Sequence, residues 1–223
     1  MAVNKSNQLD VNESLNKSEA FFVKNKKTII GAVVALVLII GGAYAYRLLV
    51  AVPNAEKANT ILAKGQEYFA AGNYDAAING DNTGYIGFLK IASKYSSTDA
   101  GNLANLYAGL SYAQKGDSVN AVKYLEKFDT SDDCMISPAS VGALGNSYAK
   151  LGQVDKAIST LKKAAEMADN NTLSPIFYVQ AGILLESQNK PAEAKKLYEI
   201  VKTKYTKSAE AESIDKYIER VSH

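Results

Sequence analysis

The chain predicts an all-α fold: a single N-terminal membrane helix followed by a solenoid of helix-turn-helix repeats closed by a C-terminal capping helix. Three observations carry that prediction. An uncharged apolar run occupies residues 28–46, four segments further on share one repeating pattern built on glycine and alanine, and four prolines with no tryptophan fit a mostly helical chain. Composition bounds what such a fold would do. Among 223 residues, 25 Lys and Arg face 23 Asp and Glu, a net charge of +2 that is too weak to favour nucleic acid. One cysteine excludes an internal disulfide and a cysteine-based zinc site, and the only histidine, His223, leaves little for histidine catalysis or metal binding. No metal or cofactor site is expected.

The run Thr28–Tyr46 reads TIIGAVVALVLIIGGAYAY, 19 residues without a charge. As a helix it would measure about 28 Å, close to the ~30 Å hydrocarbon thickness of a bilayer. Its nine Ile, Val and Leu residues contribute roughly −3 to −5 kcal/mol towards insertion. A buried soluble helix fits poorly, because no polar face interrupts the run. Lys17, Lys24, Lys26 and Lys27 precede it closely, whereas Arg47 and Lys57 follow sparsely, so residues 1–27 are expected in the cytoplasm and the remainder across the membrane. The tail is polar, and disorder is expected up to the aromatic pair Phe21-Phe22. Ala43-Tyr44-Ala45 has the form of a signal-peptidase site, but the acid-containing leader and the long apolar run favour an uncleaved anchor. The anchor is assigned to 28–50 and a linker to 51–57. Gly31 with Ala35, and Gly41 with Ala45, have the spacing that seats a second membrane helix, a pattern common in such helices anyway.

From Arg47 onward 20 basic residues balance 20 acidic ones. Here the segments LAKGQEYFAAGNYDAA, LYAGLSYAQKGDSVNA, GALGNSYAKLGQVDKA and VQAGILLESQNKPAEA repeat one pattern. Gly65, Gly109, Gly145 and Gly182 are each followed three residues on by Tyr68, Tyr112, Tyr148 or Leu185, and twelve residues on by Ala77, Ala121, Ala157 or Ala194. The intervals are 44, 36 and 37 residues. Each unit reads as two antiparallel helices, with Gly72, Gly116, Gly152 and Asn189 placed to end the first helix in a left-handed cap. The small positions let the paired helices approach, and the tyrosines fill the space between pairs. Ser137-Pro138 and Ser174-Pro175 are expected as N-cap serine and N1 proline. Leu161 with Ala164, and Tyr198 with Val201, continue the apolar face of the second helices.

These motifs resemble the tetratricopeptide (TPR) repeat, W-x2-L-G-x2-Y…A-x3-F over about 34 residues. The tryptophan position holds Ile61, Asn105, Val141 and Tyr178, and the A-x3-F pair appears as Ala121–Leu125, Ala157–Leu161 and Ala194–Tyr198. Repeats are expected over 58–101, 102–137, 138–174 and 175–207, with the cap at 208–223. In the cap, Ile214, Tyr217, Ile218 and Val221 form an apolar stripe from Ser208 to Val221. Repeat one carries an insertion, Asn79–Gly87, expected to interrupt its second helix. Asn79-x-Asp81-x-Thr83-Gly84 imitates the start of a calcium loop, but Lys90 stands where a bidentate Glu belongs.

By the same resemblance, the first helices line a binding surface. Leu103, Leu106, Leu110 and Gln114 would face it from repeat two, and Asn146 and Lys150 from repeat three. Ile176, Val179, Ile183 and Glu186 would add to it from repeat four. An apolar groove with few polar handles suits a peptide or a partner helix, although each apolar member could equally pack in the core. The lysine and asparagine that clamp a C-terminal carboxylate in some TPR domains correspond to Gly142 and Asn146, so that mode is not expected. Enzyme signatures are missing: no G-x-S-x-G, no H-E-x-x-H, no P-loop. Cys134, beside Asp132 and Asp133, sits among acids that would dull a nucleophile.

The layout resembles the YfgM-type inner-membrane TPR proteins, ancillary subunits of the SecYEG translocon that work beside a periplasmic prolyl isomerase. The stretches GDNTGYIGFLKIASKY and AGNLANLYAGLSYA are similar to TPR proteins common in Bacteroidota. The resemblance implies a non-enzymatic binding module anchored in the bacterial inner membrane with its array in the periplasm. Its partners would be translocon subunits, a prolyl isomerase or unfolded exported chains. A scaffold in cell-envelope assembly is the alternative.

Overall fold

The computed structural model describes residues 19–222, and all regular structure among them is helical. The chain divides into two compact units at Pro53–Asn54. The tail expected to be disordered, with Lys17, lies outside the described residues.

In the N-terminal unit, residues 19–24 are helical and the neighbouring rings of Phe21 and Phe22 meet edge to face at 6.1 Å, both exposed. Helix α1, Lys26–Tyr46, has 21 residues and buries none of them, and at ~1.5 Å per residue it is about 31 Å long. Its apolar residues run around the whole circumference, and the most apolar 18-residue window has a mean hydropathy of 2.3. A helix in water needs a polar face, and this one has none. It is long and apolar enough to cross a membrane. A π-helical turn, Arg47–Ala51, follows it, closed by the Val52 amide on the Arg47 carbonyl.

The second unit is built from helix pairs. They are α2 (Val52–Ala70) with α3 (Tyr74–Asn79) and α4 (Phe88–Lys94), α5 (Asp99–Gln114) with α6 (Ser118–Leu125), α7 (Ile136–Lys150) with α8 (Val154–Ala168), and α9 (Ser174–Ser187) with α10 (Pro191–Lys204). Each first helix ends in the same way. The amides of Asn73, Asp117, Gln153 and Lys190 reach back to the carbonyls of Tyr68, Tyr112, Tyr148 and Leu185 at 2.9–3.0 Å. The residue between, Gly72, Gly116, Gly152 or Asn189, is left-handed, with φ of 74°, 81°, 73° and 57°. This is the Schellman closure, and it ties the tyrosine position to the turn seven residues after the repeat glycine.

The repeat glycines lie where the paired helices cross. A Cβ on Gly109 would sit 2.6 Å from Leu125 Cγ, one on Gly145 2.8 Å from Leu161 Cγ, and one on Gly182 would collide with the Tyr198 ring. The alanines twelve residues on, Ala77, Ala121, Ala157 and Ala194, have no exposed surface. Side-chain bulk at either position would force the helices apart. In repeat one Tyr85 of the insertion and Phe88 at the start of α4 together cover Gly65. The loop carrying Tyr85 is folded around Asp81. Its carboxylate accepts the Tyr68 hydroxyl, the Thr83 amide (2.7 Å) and hydroxyl (2.9 Å) and the Tyr85 amide (3.0 Å), with Lys64 at 3.5 Å. Those donors hold the Asp81 carboxyl well below its ordinary range. The carboxylate at the third position of the calcium-loop pattern is instead a structural anchor.

Two details differ from the sequence expectations. Ser137 and Ser174 are not N-caps but lie inside their helices, fully buried. The N-cap positions are Met135 and Leu173, and side chains further back hold the approach to each helix: Asp133 accepts the amides of Met135 and Ile136 at 2.9 and 2.6 Å, and Asn170 those of Thr172 and Leu173 at 2.9 and 2.8 Å. Each serine instead ties the helix start to the preceding segment. Ser137 accepts from the Ser131 amide, and Ser174 accepts from Asn170 and donates to Ala165. The C-terminal segment is also not one helix. It is a 3-10 turn, Glu210–Glu212, and α11, Ile214–Arg220, whose Ile214 is buried with Val221 in the core of the last two pairs.

A candidate protein-binding groove between α5 and α7

Helix α5 is fixed at its start. Thr98 caps it by accepting the Gly101 amide at 3.1 Å, and Gly101 lies so close to the Tyr95 carbonyl that a Cβ would collide with that oxygen. From this base Leu103, Leu106 and Leu110, at i, i+3 and i+7, share one face over roughly 10 Å of axis. The opposite wall comes from a segment without periodicity. Helix α6 stops at Leu125, and residues 126–135 cross to α7 as an irregular connection with Phe128 buried. Asn102 and Asp129 clamp that connection to α5 through reciprocal side-chain to backbone hydrogen bonds, both 2.8 Å. Asp133 pins its end, accepting from Ser131, Ser137 and three amides at the start of α7, and these donors hold its carboxyl well below the usual range.

Met135 and Ile136 are thereby held 48% and 54% exposed across from the leucines. With Ala139 they enclose a groove of about 290 Å³ over Leu103, Leu106 and Leu110. The groove widens towards the helix starts into a space of about 590 Å³ bordered by Asp99 and Asp129. Apolar side chains kept in water by a rigid, hydrogen-bonded frame can bury a partner's side chains without reorganising, which lowers the entropic cost of binding.

The remaining sequence candidates scatter. Gln114 and Lys150 are exposed at the ends of α5 and α7, and Asn146 is half-buried. Val179 is buried in the core of the last two pairs, and Ile176 packs against it. Ile183 is 43% exposed and stands apart from the groove lining. Glu186 is committed to the cap: it accepts the Tyr198 hydroxyl and a two-pronged contact from Arg220 at 2.7 and 2.8 Å. Burial and the Glu186 carboxylate push the Tyr198 phenol well above its ordinary value. At the position where a carboxylate clamp would need lysine, a Cβ on Gly142 would collide with the Phe177 ring, so any side chain is excluded. Cys134 is exposed. Sequence reasoning missed Met135, Ile136, Phe128 and the Asn102–Asp129 clamp. The one available signal was three aspartates, Asp129, Asp132 and Asp133, running into Met135 and Ile136.

Comparison with known proteins agrees with the helix-pair architecture. Residues 139–171, covering α7 and α8, match the tetratricopeptide repeat family. The described second unit is a tetratricopeptide-type helical solenoid. Among solved structures, nearly identical TPR-like repeats of a Podosopora anserina protein described as a putative kinesin light chain superpose with a TM-score of 0.56 at 14% identity. The alignment covers 75% of this chain and 86% of that one. A point variant of the same repeats gives the same score and identity over 85% of its length. At such identity the likeness is one of fold. No curated protein matches the chain by sequence. TPR repeats suggest a protein-binding scaffold, and a helix long and apolar enough to cross a membrane precedes this one in the chain.

Proposed function

We propose that the chain is a non-enzymatic, membrane-anchored protein-binding module. Helix α1 holds it in a bacterial inner membrane with the N-terminus in the cytoplasm, and the TPR array works in the periplasm beside the Sec translocon and periplasmic chaperones. The apolar α5–α7 groove carries the binding part of the reading, because it keeps Met135 and Ile136 in water where a folding core would have covered them. The uncharged Thr28–Tyr46 run and the lysines before it support the anchor and its orientation. The translocon assignment rests on the layout shared with the YfgM-type proteins.

The test is purification of the full-length protein from native membranes in mild detergent, with crosslinking and mass spectrometry of what accompanies it. Translocon subunits and a prolyl isomerase in the eluate support the full reading. An eluate holding only envelope-assembly components keeps the scaffold and removes the Sec assignment.

A further inference from the structure

The groove has a chemical direction that specifies its occupant. Its floor is aliphatic from Leu103 to Leu110, but its wide end is bordered by two carboxylates, Asp99 and Asp129. These differ from Asp133, whose oxygens are consumed by five donors of its own segment. Among the described residues, Asp99 and Asp129 are, like several other surface carboxylates, outside the ion pairs that take up Asp75, Asp81, Asp155, Asp169, Asp215 and Glu186, and both face the wide space. The nearest lysine by sequence, Lys127, lies over the Tyr124 ring at 5.1 Å. Asp129 is also held in place, since Asn102 fixes its backbone from both sides. The pair is an anionic rim on a rigid frame, set next to exposed Met135 and Ile136.

We propose that the α5–α7 groove docks a partner segment that carries large aliphatic side chains flanked on one side by lysine or arginine. The aliphatic side chains bury against Leu106, Leu110 and Ile136, while the cations lie between Asp99 and Asp129. Apolar contact supplies the affinity, and the carboxylates set the direction in which the segment lies and reject acidic sequences. This rests on the protein-binding reading above and deepens it by naming the chemistry of the partner. The floor, roughly 10 Å long, accepts side chains of one face of a two-turn helix or alternate side chains of a short extended strand.

The experiment is selection from a displayed library of random twelve-residue peptides on the full-length chain in nanodiscs. Affinities of the best peptide are then measured by fluorescence anisotropy. The enriched peptides should combine Leu, Ile, Met or Phe with Lys or Arg gathered at one end. Asp99→Asn with Asp129→Asn should weaken the best peptide about ten-fold, as expected when two partly exposed charge pairs are lost. Ile136→Ser should weaken it by a similar factor, and both variants should retain the parent helical signal. Enrichment of acidic or uncharged peptides, indifference to the aspartate substitutions, or no enrichment overturns the proposal. Its failure is distinguishable from failure of the scaffold reading: partners that copurify but crosslink outside α5–α7 leave the scaffold and remove this groove.

Discussion

Replacing Gly109 with alanine tests the packing on which the repeat array depends. The added Cβ would stand 2.6 Å from Leu125 Cγ and 2.9 Å from the Leu125 backbone nitrogen, where ordinary contact begins at 3.4 Å. A leucine end can rotate away, but a backbone nitrogen moves only if α5 and α6 separate. Overpacking of this kind costs ~1–3 kcal/mol, and alanine returns about 0.5–1 kcal/mol through its better helix propensity. The net loss spans roughly 0–2.5 kcal/mol, about 1 kcal/mol at mid-range, and that mid-range loss lowers the Tm of a domain of this size by roughly 2–5 °C. Thermal unfolding of the full-length protein in detergent, followed by circular dichroism, reads it. Gly31→Ala is the control, because a Cβ there meets nothing within 4 Å and its φ is helical. An unchanged or higher Tm for Gly109→Ala would show that the glycine does not set the helix separation.

Ala157→Phe adds a ring at a residue with no exposed surface between α7 and α8, and should cost ~1–3 kcal/mol in the same melt. Asp81 and Asp133 are both held below their ordinary carboxyl range. Because their folded pKa is depressed, the stability they give is full at neutral pH and is lost as pH falls from about 5 through the carboxylate range. Asp133→Asn should therefore melt below the parent at pH 7, and the gap should narrow towards about pH 2; a gap independent of pH would contradict the capping role. Cys134, the single cysteine and exposed, should react with a membrane-impermeant maleimide in cells whose outer membrane has been opened. Labelling only after the inner membrane is broken would reverse the proposed orientation.

Much of this fold could be read from residues because the determinants are local. The glycine and alanine of each repeat act within one helix pair, and a glycine or asparagine seven residues on is the residue a left-handed cap requires; Asn189 at φ 57° follows that logic. The Asn79–Gly87 insertion was legible as an interruption, but its purpose was not, since Tyr85 covering Gly65 is a tertiary contact. Caps were misread for a physical reason. Serine before proline satisfies the cap pattern, yet Asp133 and Asn170 in the preceding loops accept the amides just ahead of each serine, which is left to tie segments together. The leucines of the groove were visible as a stripe on α5. Its other wall was not, because residues 126–135 have no period and are placed by the Asn102–Asp129 clamp. Val179 and Glu186 lie at positions equivalent to a binding face but are taken up by the core and the cap.

Site-specific photocrosslinking in native membranes addresses the central claim most directly. A benzophenone amino acid would replace Ile136 in the groove in one protein and exposed Lys163 on α8 in another. The account predicts protein adducts from position 136, identified by mass spectrometry and reduced in the Asp99→Asn, Asp129→Asn background, with few from position 163. Adducts from 163 and none from 136 would contradict the claim that partners dock between α5 and α7.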